Sequence, residues 1–240
     1  MRIETRNLLS KFLLEALDDH VIAETLRCFA HYCQSHDAEP TPVSVEAFVA
    51  FAPITARQQV VKILQHHPLF TLEKSNKAVT ITLQPLFKAE YREIVAKLVL
   101  YAAVIDAWDL FNRESRPISA RELALQKGVL LFNHHLFFEV HEILEEQWKQ
   151  ESGEIRLFLQ GLIQIAVAFH HLGNRNFRGT MALLHEGLVK ITHQQPEFLG
   201  IEVRNLVVRL AACQQQLQQL GPEHFQQFPR EMIPSLQFIA

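Results

Sequence analysis

Between Phe132 and Trp148 the chain reads FNHHLFFEVHEILEEQW, which sets three histidines and four glutamates among large apolar side chains. On a helix over Leu136–Gln150, at about 100° per residue, Phe137, Val140, Leu144 and Trp148 form an apolar sector. His141 and Glu145, at i and i+4, fall at its edge beside Trp148 and Phe138. Glu142 sits on the rim, and Glu139 and Glu146 are expected to be solvated. A second stretch, Glu154–Leu172, contains LQGLIQIAVAFHHL. Its directions are apolar except for one seam, Gln160, Gln164 and His171, within about 40° of each other on an ideal wheel. Short connections favour antiparallel neighbours, so His141 and Glu145 are expected to face Gln164, Gln160 or His171. His170 points elsewhere, toward Leu159, Ile163 and Ala166.

Three chemistries suit this constellation. Imidazole and carboxylate can bind a divalent metal such as Zn, Mn or Fe, with His141, Glu145 and His171 as ligands. The same groups suit acid–base work, with His141 and Glu142 catalytic and Glu145 fixing the tautomer of His141. In either case Gln160, Gln164, Trp148 and Asn176 would surround and orient the site. The third reading is purely structural: an i, i+4 pair that stabilises its helix, and a glutamine seam that specifies packing. The pattern is not HExxH, because the i+4 partner is Glu145, so it is not the zinc-protease motif. Glycine-rich phosphate loops, a GxSxG elbow and a Cys/His pair at catalytic spacing are all absent from the sequence.

The elements that must position these residues fall into four segments. Residues 1–85 read as a winged-helix-like α+β module, 86–118 as a long connecting helix and loop, 119–220 as a helical bundle, and 221–240 as a tail. The fold class is therefore mostly α, a C-terminal helical bundle behind an N-terminal winged-helix-like module. Helical periodicity covers Leu8–Tyr32, as two helices meeting near Asp18–His20. His36–Pro42 is a loop. Ser44 caps a short helix that Pro53 ends, and Thr55 caps the next, through His66. Leu69–Leu83 reads as a hairpin around Lys74–Lys77. If the helix from Thr55 is a recognition helix, Arg57, Gln58, Lys62 and Gln65 would face DNA, with Lys74 and Lys77 on the wing. Four bases and one acid over Ile54–Ala78 make a modest patch, and a solvated face or a protein-binding surface competes with DNA. Further on, Phe87–Phe111 is a long helix and Glu114–Ile118 a loop. Ser119 and Glu122 form a capping box opening a helix to Phe132. Helices over Phe177–Thr192 and Glu202–Leu220 complete the bundle. Phe225, Phe228 and Phe238 should pack the irregular tail back onto it.

Bulk properties narrow the setting. A net charge of −3 excludes a globally basic nucleic-acid binder. Cys28, Cys33 and Cys213, without CxxC spacing, point to a reducing compartment and no disulfide framework. The amphipathic, acid-bearing N-terminus is not a signal peptide. The apolar run Leu157–Phe169, broken by Gln160 and Gln164, is too short to span a bilayer. The expectation is a cytoplasmic protein without membrane contacts, with a small molecule or a protein as partner. The amphipathic helices leave room for self-association.

At the HE helix the chain resembles the DUF309 family of small all-helical proteins. The shared pattern is carried by Phe132-Asn133, the aromatic Phe137 or Phe138, Glu139, His141, Glu142, Leu144, Glu145 and Trp148. It continues through Gln160-Gly161-Leu162-Ile163-Gln164 and Ala166 to a turn with Asn176 and Gly179. The match covers about residues 120–192. The family usually has glycine where His135 and Arg175 stand, which puts the two turn shapes in question. The family carries the general label of a predicted metal-dependent hydrolase, and the resemblance extends that expectation to His141, Glu142 and Glu145.

Overall fold

Asp19 divides the first helical stretch in two. Its Oδ1 accepts from the Val21 and Ile22 amides at 2.7 and 3.1 Å, ending α1 (Ile3–Ala16) and opening α2 (His20–Ser35). The computed structural model describes residues 1–36, 39–75, 78–112 and 118–239. Among the described residues it is mostly helical, with small antiparallel sheets. The chain divides into two compact units, Met1–Glu114 and Ser115–Ala240.

In the first unit, β1 (Val43–Ser44) leads into α3 (Val45–Val49), capped by the Ser44 hydroxyl. Then come α4 (Arg57–Leu64), β2 (Phe70–Lys74) and β3 (Val79–Leu83). The hairpin pairs Phe70 with Leu83 and Leu72 with Ile81. β1 adds a third strand that the sequence reading did not contain, giving the antiparallel order β1-β3-β2. Two residues are too few to show a period-2 pattern. Thr55 does not cap α4. The N-cap is Ala56, without a side-chain cap, and Arg57 instead donates back to the carbonyls of Ala52 and Ala50 at 3.1 and 2.9 Å. The long helix α5 (Tyr91–Asn112) follows a 3-10 segment, Pro85–Glu90. Read from the sequence as a connector, α5 packs on α2 and α1 and belongs to the first core. Its Leu98, Tyr101, Val104 and Ile105 are fully buried, as are Leu9, Leu13, Leu26 and Phe29 of α1 and α2. Arg27 ties α2 to α5 through Asp106 and Asp109 at 2.9 and 2.6 Å. Lys77, most of the Glu114–Ile118 loop and part of the His36–Pro42 loop lie outside the described residues.

The second unit is a helical bundle. The predicted capping box is present: Ser119 and Glu122 exchange side-chain-to-backbone bonds at the start of α6 (Ala120–Asn133). It is followed by α7 (Phe137–Gln150), α8 (Gly153–Gly173) and α9 (Phe177–Thr192). A two-stranded hairpin, β4 (Glu197–Phe198) and β5 (Ile201–Glu202), leads into α10 (Val203–His224), which Gly221 breaks at φ 66°. By length and composition α8 is long and apolar enough to cross a membrane, a test that a core helix also passes, and here α7 and α9 pack against it. The tail does return to the bundle. Phe225, Phe228, Ile233 and Leu236 are buried, whereas Phe238 is 39% exposed. Asn133 holds the tail in both directions: its Nδ2 donates to the Leu236 carbonyl at 2.9 Å and its Oδ1 accepts from the Leu236 amide at 2.8 Å.

Candidate functional site

α7 carries the centre of the site on its outer side. Phe137, Val140 and Leu144 face inward, as the apolar spacing requires. Outward, the His141 Nδ1 lies 3.1 Å from Glu142 Oε1, and its Nε2 lies 3.4 Å from Glu145 Oε2. Lys149 Nζ reaches the other oxygen of Glu145 at 3.2 Å. The His141, Glu142 and Glu145 side chains are 30, 41 and 36% exposed, so the cluster is a half-open imidazole between two carboxylates. Glu146 is exposed, as expected. Glu139 is not: it is fully buried. α7 packs on both α6 and α8, so its buried sector is wider than its apolar residues mark, and Glu139 falls in it with Gln147.

The polar seam of α8 is not where the sequence put it. Gln160, Gln164 and His171 lie on the least buried side of the helix, not in a sealed interior. Gln164 Nε2 donates to Glu186 Oε2 of α9 at 2.6 Å. His171 Nδ1 is 3.4 Å from Asn176 Nδ2 at the α8–α9 turn. The histidine that approaches α7 is His170, whose ring lies 5.6 Å from Phe138, itself 6.2 Å from His141. Asn174 Nδ2 donates to His170 Nε2 at 2.8 Å. Two glycines explain this assignment of faces. A Cβ on Gly161 would come within 2.6 Å of Ile191 Cγ2, and one on Gly187 within 2.7 Å of the Gly161 carbonyl oxygen. α9 therefore closes on the Gly161–Gln164 side of α8, and α7 takes the side with Phe169 and His170. A glycine inside a helix costs up to about 1 kcal/mol relative to alanine, and that was the available signal for a close helix approach.

Asn176 is a cap. Its Oδ1 accepts from the Gly179 amide at 3.0 Å, and a Cβ on Gly179 would strike His171 and Asn176. Trp148 stacks under Arg156, whose guanidinium carbon is 3.8 Å from the ring centroid. Arg156 also donates to the Trp148 carbonyl at 2.9 Å, joining the end of α7 to the start of α8. Glu151 gathers Gln147 and Arg121 at the same end, at 2.7 and 3.4 Å. Sequence reasoning missed Arg156 and Glu151, and it turned His170 toward Leu159, Ile163 and Ala166, whereas the ring lies against Phe138 of α7. His185 meets Gln214 of α10 at 3.3 Å, and the His134 ring bonds the Leu130 carbonyl at 2.9 Å. His135 stacks on Phe137 at 5.5 Å, and burial, aided by Arg230, holds its pKa below the ordinary value. His135 and Arg175 both adopt φ 59°, the left-handed backbone that glycine accepts without strain.

A metal held by His141, Glu145 and His171 does not fit this arrangement. His171, in the last turn of α8, has its Nδ1 beside Asn176, and both ring nitrogens of His141 already address carboxylates. Among the described residues, no three His, Cys, Asp or Glu side chains converge as metal ligands.

In the N-terminal unit, Arg57 is tied to backbone carbonyls, while Lys62 on α4 and Lys74 at the end of β2 are exposed. Ahead of α4 the surface is apolar: Phe51 is 54% and Ile54 80% exposed.

Residues 125–183 match the family model described as Domain of unknown function (DUF309), which bears out the resemblance read from the motif residues. An 85-residue stretch is 32% identical to the "Uncharacterized protein YpuF" of Bacillus subtilis (strain 168), covering 34% of this chain and 49% of that protein. The chain thus spans about half the length of the curated relative it matches. No solved structure matches it.

Proposed function

We propose that the protein is a non-enzymatic adaptor whose N-terminal unit is a winged-helix module that docks a protein partner at the turn between α3 and α4. The observation that carries this reading is the exposure of Phe51 and Ile54 at that turn. The order α2-β1-α3-α4-β2-β3, with sheet order β1-β3-β2, supports the winged-helix assignment. Exposed apolar side chains beside α4 suit a protein surface. Duplex DNA asks for several phosphate contacts, and of the cations expected there Arg57 spends its guanidinium on its own backbone. The buried, unbridged Cys28, Cys33 and Cys213 support a reducing compartment such as the cytoplasm. The test is a photo-crosslinking residue placed at Ile54 and, as control, at exposed Val208, in cells of the source organism. A discrete protein adduct from Ile54 only, abolished by Phe51→Asp, is the expected result. Adducts to nucleic acid, or equal adducts from both sites, would overturn it.

One observation favours a second reading, a hydrolase-like acid–base centre on α7: the half-open His141 imidazole flanked by Glu142 and Glu145. There His141 would relay a proton, Glu145 would hold its Nε2 side, and Glu142 would accept or donate at the rim. Elemental mass spectrometry of the untagged protein and of a His141→Ala, Glu145→Ala variant separates the cases. Near-stoichiometric metal lost in the variant would return weight to a metal-dependent hydrolase. Metal-free protein whose variant melts and behaves like the parent would leave the cluster a surface network.

A further inference from the structure

α1 and α4 both flank α2, and between them lies a cavity of about 550 Å³. Its walls are Leu8 and Phe12 of α1, Val21 and Ile22 of α2, Ile63 of α4, and Pro68. Leu8, Val21, Ile22 and Ile63 are only half-buried, so the fold leaves apolar surface facing this space. The volume is in the range of small-molecule sites, about 300 to 1,000 Å³, and such sites pair apolar walls with a few polar groups. We infer that the cavity binds a single-chain anionic amphiphile: an apolar chain of medium length ending in a carboxylate.

The polar groups at the cavity select that class. Four ionised side chains line it, and three are already engaged. Lys11 pairs with Glu15 at 3.7 Å. The Asp19 carboxylate is spent on the amides of Val21 and Ile22. Lys62 lines the same space and has no ion-pair partner among the described residues, so although the four charges cancel in sum, it is the side-chain charge left to meet a ligand. His67 is the remaining polar ring in the lining. Phe12 and Phe29 hold it at 4.5 and 4.8 Å, and burial pushes its pKa down to about 4, so it adds no charge near neutral pH. Its Nδ1 accepts from the Leu69 amide at 3.3 Å, which puts the ring proton on Nε2 as a donor for a ligand oxygen. A neutral alcohol would forgo Lys62, and a cationic amphiphile would meet it with like charge. The site is separate from the α3–α4 turn and from the α7 cluster, and stands or falls independently of either.

The experiment is calorimetric titration of the full chain with decanoate, 1-decanol and decyltrimethylammonium below their micellar concentrations, with backbone amide shifts to locate binding. Decanoate is expected to bind tightest and to shift amides of α1, α2 and α4. Lys62→Gln is expected to weaken decanoate about three- to fivefold while leaving decanol unchanged. Lys62 is exposed, so the variant should fold, and Ile63→Trp, which fills the cavity, should abolish both. Decanoate no tighter than decanol, equal affinity for the cation, an unaffected Lys62→Gln, or shifts confined to the bundle would each overturn the inference.

Discussion

His67 gives the sharpest quantitative test. The folded chain keeps this imidazole neutral down to about pH 4, whereas the ordinary value is 6.5. Burial among Phe12, Phe29 and Phe70 is the cause. Below pH 6.5 the unfolded chain takes up a proton that the folded chain refuses. The unfolded state then binds more protons, so stability falls as pH falls through the window from 6.5 to 4. For these two values, linkage gives a loss of about 2 kcal/mol between pH 7 and pH 5, approaching about 3 kcal/mol below pH 4. The chain has two tryptophans, so a Trp148→Phe background leaves Trp108 as the sole reporter. Trp108 is buried on α5 with its indole N–H on the Leu17 carbonyl at 2.9 Å, inside the unit that holds His67. Urea unfolding followed at Trp108 should lose about 2 kcal/mol more between pH 7 and 5 in this background than with His67→Phe added. The comparison removes the contributions of the other histidines in that unit. Equal losses with and without His67 would refute the argument.

Other tests fall on the bundle. Gly187→Ala drives a methyl to 2.7 Å from a backbone oxygen and from Ile165, neither free to swing away, and should cost about 1 to 3 kcal/mol in the bundle's calorimetric transition. A neutral outcome would deny the close α8–α9 contact. At Arg175, held at φ 59°, Arg175→Gly should be more stable than Arg175→Ala by about 1 kcal/mol, and equal melting of the two would remove the strain argument. Asn133→Ala takes both bonds from Leu236 and should cost about 1 to 3 kcal/mol, with faster proteolysis after Phe225 as the readout. Unchanged cleavage would mean the tail is held by its apolar side chains alone.

What the sequence determined by itself is the principal helices, the β2–β3 hairpin and several of their ends. The Ser119–Glu122 box, the Ser44 cap and the break at Asp18–His20 were legible because each is closed by bonds within about four residues. The same holds for the inward apolar face of α7 and for the carboxylates beside His141, one helical turn or less away. The two unusual turns were visible as residues standing where glycine is usual, and the left-handed backbone at His135 and Arg175 supplies the reason. The tertiary structure decided which faces meet. Gly161 and Gly187, 26 positions apart in the numbering, admit α9 to the side of α8 that carries Gln164, so the seam bonds Glu186 rather than His141. Asn133 reads as part of a motif, but its partner is Leu236 at the far end of the chain. Glu139 has the spacing of a solvated glutamate and is buried because a second helix covers that sector. Helical periodicity reports how apolar each direction is, while the choice of neighbour for each direction depends on how closely distant backbones can approach.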